Sequence, residues 1–146
     1  MTQEYKDLLL KYLCMALPYG IKIMVEGWDS DSGCEYTTIE TLIGIDDRFI
    51  HTIWDKTGDK DKHYIIEPKS ILDYKPYLRP MSSMTEEERN EYNEYLFYGS
   101  SIGLSSNTAT AYELIDWLNK KMFDYLGLIP KGLAIEVTKE NNPYKD

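Results

Sequence analysis

Ile21-Lys22-Ile23-Met24-Val25 and Ile39-Glu40-Thr41-Leu42-Ile43-Gly44-Ile45 are the stretches on which the fold turns. Apolar or β-branched residues recur at every second position, as Ile21, Ile23 and Val25 in the first and as Ile39, Thr41, Ile43 and Ile45 in the second. A period of two puts each set on one face of a pleated strand, and residues rich in Ile, Thr and Tyr suit half-buried strands. The alternation continues less cleanly from Phe49 to Trp54 and from His63 to Ile66. The intervening Asp29 to Glu35, Asp46-Asp47 and Asp55 to Asp61 are short and rich in Asp and Gly, as antiparallel hairpin loops are. The expected product is a curved antiparallel sheet or small open barrel of four to five strands.

Helices flank this region on both sides. Tyr5, Leu8, Leu9, Tyr12, Leu13 and Ala16 follow helical spacing and form one apolar stripe, which Pro18 and Gly20 terminate. Beyond the proline-bounded run Lys75-Pro76-Tyr77-Leu78-Arg79-Pro80, Thr85-Glu86-Glu87-Glu88 offers a capping box for a polar helix to about Tyr98. Thr110 and Glu113 offer a second, ahead of the stripe Ala111, Leu114, Ile115, Leu118 and Met122. The uncharged, Ser-rich run Gly99 to Asn107 reads as a mobile surface loop between the two helices. The class is therefore α+β. We expect a single domain over residues 1–146, in which β-rich residues 20–80 and helical residues 85–125 share one core.

The chain has 146 residues and a net charge of −9, with 42% hydrophobic and 28% charged residues. These values suit an ordinary folded domain of a size that does not need disulfides or metals for stability. A pI near 4.7 leaves no domain-wide basic footprint, so direct nucleic-acid binding is not expected. Lys11 interrupts the first apolar run, and no run approaches the roughly 18 apolar residues that span a bilayer, so neither a secretory signal nor a membrane partner is expected. Cys14 and Cys34 form neither a disulfide framework nor a CxxC knuckle, and a cytoplasmic location follows as the expectation.

Four motifs invite a catalytic reading, and in each the plainer reading fits better. Asp55-Lys56-Thr57-Gly58 matches the start of a phosphoryl-transfer aspartate motif but continues with Asp59 instead of Thr, and the short loops leave no room for the parallel crossovers of that chemistry. Gly99-Ser100-Ser101-Ile102-Gly103 fits a nucleophile elbow, yet a helix precedes it and both histidines come earlier in the chain. Asp29, Asp31, Gly33 and Glu35 space oxygen ligands two apart, but the glycine is one position early for an EF-hand and neither flank is helical. His51 and His63 lie in consecutive predicted strands, where two ligands fall short of the three that a catalytic zinc requires.

Charge and tyrosine are unevenly distributed. Glu86, Glu87, Glu88, Glu91 and Glu94 surround a single base, Arg89. The segment Arg48 to Arg79 holds seven bases against five acids, and its His51, His63, Tyr77 and Arg79 are the candidates for an anionic ligand. Thirteen Tyr stand against three Phe and three Trp, a skew that suits wet interfaces. Tyr92, Tyr95 and Tyr98 fall on the polar helix, which either docks through them or presents them to a partner.

Leu17-Pro18-Tyr19-Gly20, the run Lys75 to Glu88 reading KPYLRPMSSMTEEE, and the segments Asp116-Trp117-Leu118-Asn119, Phe123-Asp124-Tyr125 and Gly127-Leu128-Ile129 resemble a family of uncharacterised small proteins from gut anaerobes, their phages and mobile elements. The resemblance covers both ends and the centre of the chain. It departs where the family often carries a His pair before the Phe and an Arg after the Tyr, since Lys121, Met122 and Leu126 stand here. The shared segments look architectural, and the resemblance implies no assigned activity.

The expected function is a non-enzymatic acidic binding protein acting on another protein, with Glu87, Glu91 and Glu94 as a charged rim and Tyr92 and Tyr95 as anchors. In the setting the resemblance implies, it is an accessory or counter-defence factor. One alternative is a binder of a small phosphorylated nucleotide held by His51, His63, Tyr77 and Arg79. Another is a small hydrolase using His51 or His63 with dispersed carboxylates. No cofactor and no metal are expected, and a homo-oligomer is compatible with this reading. Elemental analysis of untagged protein should show less than stoichiometric zinc, because two Cys and two His at these spacings do not complete a four-ligand site.

Overall fold

Leu9, Tyr12, Leu13 and Ala16 fall on one stripe of the first helix, α1 (Gln3–Ala16), and all four are buried. The computed structural model describes residues 3–29, 33–45, 50–54, 71–101 and 104–144. Pro18 starts the single 3₁₀ turn Leu17–Tyr19, and Gly20 ends it at φ 68°, a left-handed conformation with little steric cost for glycine. The chain then enters β1 (Lys22–Asp29), β2 (Cys34–Ile45) and β3 (Ile50–Trp54). With β4 (Tyr74–Leu78) and β5 (Ile135–Glu136), these form one open sheet of order β3-β2-β1-β4-β5.

The pairs β1–β2, β2–β3 and β1–β4 are antiparallel, whereas β4–β5 is parallel, which corrects the purely antiparallel expectation. Parallel neighbours need a long connection, and here α2 (Glu86–Ser101) and α3 (Leu104–Lys120) lie between β4 and β5 in the chain. The proline-bounded run is extended, with Pro76 in β4 paired opposite Ile23 and Pro80 just past the end of the strand.

Ile21, Ile23 and Val25 are buried in the same apolar cluster as the α1 stripe, as their alternation predicts. The second alternating set behaves differently. Leu42 is 2% exposed, while Ile43 is 53% exposed. Thr41 pairs with Lys22, and Ile39 with Met24, on the opposite face of β1 from Ile23. Register is the cause: Ile23 lies opposite Glu40, and the Leu42 amide donates to the Ile21 carbonyl, so the even-numbered residues of β2 share the core face. Between Leu42 and Gly44 the pairing with β3 shifts and leaves Ile43 as an extra residue. This bulge resets the phase, so Ile45 and its partner Ile50 return to pack against the core.

Residues 102 and 103 lie outside the described residues, and the rest of the run Gly99 to Asn107 is helical where its composition suggested a loop. Residues 99–101 end α2, residues 104–107 begin α3, and Thr110 and Glu113 lie inside α3 instead of capping it. Ser, Thr and Asn cost only a few tenths of a kcal/mol each in a helix, less than the tertiary packing of a helical hairpin contributes. The hairpin has its own cluster of Trp117, Leu118 and Phe123. It meets the sheet cluster at Tyr125, which packs against both.

After α3 the chain reverses tightly. The Phe123 amide donates to the Leu118 carbonyl at 3.0 Å and the Met122 amide to the Asn119 carbonyl at 3.1 Å, with Met122 at φ 61°. This is a Schellman turn with Met where Gly is usual, and it brings together Leu118 and Phe123 of the apolar cluster. The sequence elements Asp46-Asp47, Asp55 to Asp61 and His63 to Ile66 lie outside the described residues. Leu9, fully buried between α1 and the sheet, should lower stability by about 3 kcal/mol when changed to Ala, read as a shifted urea midpoint at unchanged slope.

Candidate functional site

The α2–α3 hairpin carries most of the candidate partner-binding residues, and Arg79 at the end of β4 holds it to the sheet. The capping box forms as its sequence predicts: the Glu88 amide donates to Thr85 Oγ1 at 3.1 Å, and the Thr85 amide donates to Glu88 Oε1 at 3.0 Å. Arg79 then grips the same carboxylate through both prongs, Nη1 to Oε2 at 2.9 Å and Nη2 to Oε1 at 2.7 Å. Nη2 also donates to the Ser83 carbonyl, and the guanidinium lies 4.3 Å from the centre of the Phe123 ring. The Arg79 backbone bridges the same region, its amide donating to Met122 O and its carbonyl accepting from the Asp124 amide.

Arg79 beside Glu88 holds the carboxyl at about 2, with the Thr85 amide helping and burial opposing. Asp124, also buried, accepts from the Leu128 and Ile129 amides at 2.7 and 2.9 Å and so caps the turn that follows. On the far side of the hairpin, Asp116 accepts from the Tyr19 hydroxyl and pairs with Lys120 at 2.9 Å. These bonds lower the Asp116 carboxyl and raise the Tyr19 phenol.

Tyr92 and Tyr95 turn inward. Their rings lie 6.4 and 6.0 Å from that of Trp117, whose indole N–H donates to Glu91 Oε2 at 2.8 Å. Of the two roles open to these tyrosines, docking their own helix is the one observed. Glu87 and Glu94 are exposed and flank Glu91 at spacings of four and three, on one edge of α2. Neither makes an ion pair among the described residues. Leu96, 46% exposed on α2, and Tyr112, 74% exposed on α3, are large exposed side chains that the sequence reading did not single out; only the packed hairpin settles which residues lie off the seam.

The anionic-ligand candidates are not brought together. His51 is exposed on edge strand β3, beside Gly44, while Tyr77 is buried on β4. Three strand spacings, about 14 Å, separate those strands. The Arg79 guanidinium is taken by Glu88, and His63 lies outside the described residues. The sequence also missed Glu40. It sits on the core face of β2, where it accepts from Thr38 at 2.9 Å and Thr52 at 3.1 Å. Only the register reveals that placement.

Among the described residues no group of His, Cys, Asp and Glu is placed to hold a metal ion, and no helix is long and apolar enough to cross a membrane. Comparisons with protein-family models, curated proteins and solved structures found no match to this chain.

The Arg79–Glu88 pair generates a pH test. Because the Glu88 carboxyl is depressed in the folded state, its contribution is complete above about pH 5 and is lost as pH falls through about 2. Glu88→Gln leaves a partly buried guanidinium without its counter-charge and should cost about 3 kcal/mol at pH 7. Urea titrations from pH 7 to pH 2 should show the gap between wild type and variant closing toward the acid end.

Proposed function

We propose that the chain is a non-enzymatic binding protein that engages another protein along the acidic edge of α2. The observation that carries this reading is the division of labour on that helix. Tyr92, Tyr95 and Glu91 are used to dock it on Trp117, while Glu87 and Glu94 are exposed and make no ion pair among the described residues. Like charges at helical spacing disfavour the isolated helix by a few tenths of a kcal/mol per pair, a cost that a basic partner surface would relieve. The net charge of −9 extends the same field over the molecule and favours a partner of opposite sign.

In the setting implied by the resemblance to small proteins of gut anaerobes, phages and mobile elements, the partner is a host protein and the chain an accessory or counter-defence factor. The nucleotide and hydrolase alternatives gain no support from the site. The first rests on an Arg79 already engaged by Glu88, and the second on histidines of which only His51 is described.

The test is binding kinetics on a partner identified by cross-linking in the host and then purified. Glu87→Lys with Glu94→Lys should slow association about tenfold in low salt and flatten its salt dependence, with dissociation almost unchanged. Leu96→Ala, about half a turn round α2 from Glu87 and Glu94, should leave both rates unchanged. If the charge variant also binds as wild type does, the assigned surface is wrong. Turnover of a substrate by purified protein, abolished in His51→Ala, would replace the reading with the hydrolase alternative.

A further inference from the structure

Tyr12 is 1% exposed, yet its hydroxyl has no hydrogen-bond partner among the described residues. Buried phenols ordinarily find one, because an unpaired buried hydroxyl forfeits its hydration with nothing in return. Burial pushes this phenol well up, so it stays neutral and retains a proton to donate. Its ring lies 6.2 Å from that of Tyr125, the chain neighbour of Asp124 in the turn after α3, and Tyr144 of the C-terminal tail packs against the same apolar cluster; all three also act on the phenol electrostatically.

Each of the three directs its hydrogen bonds elsewhere. The Tyr144 hydroxyl donates to the Tyr77 carbonyl at 2.8 Å and accepts from the Lys22 amide at 3.0 Å. The Tyr125 hydroxyl donates to Asn119 Oδ1 at 2.9 Å. The Asp124 oxygens accept from the Leu128 and Ile129 amides. The two phenol protons are thus committed, while oxygen lone pairs on Asp124, Tyr125 and Tyr144 remain to accept.

We propose that the Tyr12 hydroxyl, Asp124 and Tyr144 enclose a binding site for one internal water molecule. The water accepts from Tyr12 and donates to the Asp124 carboxylate and the Tyr144 oxygen, giving the three bonds typical of a buried water. It gives the Tyr12 proton an acceptor and passes the bond on to oxygens that the phenol does not bond directly. It also ties α1 to two segments more than 100 positions away in the chain, the turn after α3 and the C-terminal tail.

The sign of one substitution tests the site. In Tyr12→Phe a shared water loses its hydroxyl partner, and the folding equilibrium constant should fall about three- to tenfold. An unpaired hydroxyl predicts the opposite, since removing it relieves a desolvation cost and the constant should rise. A high-resolution crystal structure of the wild type provides the second measurement. A water within hydrogen-bond distance of Tyr12 Oη and Asp124 is the expected result. A dry site, a direct Tyr12–Asp124 hydrogen bond, or a Tyr12→Phe protein more stable than wild type would overturn the proposal.

Discussion

The Arg79 guanidinium is the point at which the two halves of the molecule are joined. It is held between the Glu88 carboxylate and the Phe123 ring, while its backbone bonds to Met122 and Asp124. Each element constrains the others. The capping box orients Glu88, Glu88 fixes the guanidinium plane, and the plane seats Phe123 against Trp117. A bidentate pair of this kind loses its partner's orientation if either member shortens, so Lys at position 79 would not be equivalent. The same grip explains why the proline-bounded run 75–80, the Thr85 cap and the segment 116–125, dispersed in the chain, are neighbours in space.

On the sheet side, the governing constraint is the register of β2 against β1. A strand with apolar residues at both odd and even positions can bury either set, and the odd set was the obvious choice from Ile39, Thr41, Ile43 and Ile45. Pairing Lys22 with Thr41 selected the even set instead. The bulge at Ile43 then returned Ile45 to the core, combining both phases in one strand. One consequence is a carboxylate, Glu40, on the core face, where two threonine hydroxyls satisfy it.

The α2 helix shows how a polar sequence can still dock. Tyr92 and Tyr95 pack against Trp117, and Glu91 pairs with the indole N–H, so a single stripe suffices to hold it. Glu86, Glu87 and Glu94 face outward and set the sign of its field. That arrangement separates the groups that stabilise the fold from those available to a partner, a separation that composition alone does not show.

What the sequence determined by itself is local. The stripe of α1, the stop at Pro18 and Gly20, the Thr85–Glu88 cap and the alternation of β1 each depend on contacts within a few residues, where backbone geometry dictates which side chains meet. The tertiary structure decided what depends on distant partners. It set the phase of β2, the helical state of residues 99–101 and 104–107, the parallel β4–β5 pair, the inward turn of Tyr92 and Tyr95, and the engagement of Arg79 by Glu88. In each case local preferences left two outcomes within about a kcal/mol per residue, and packing against a remote element broke the tie.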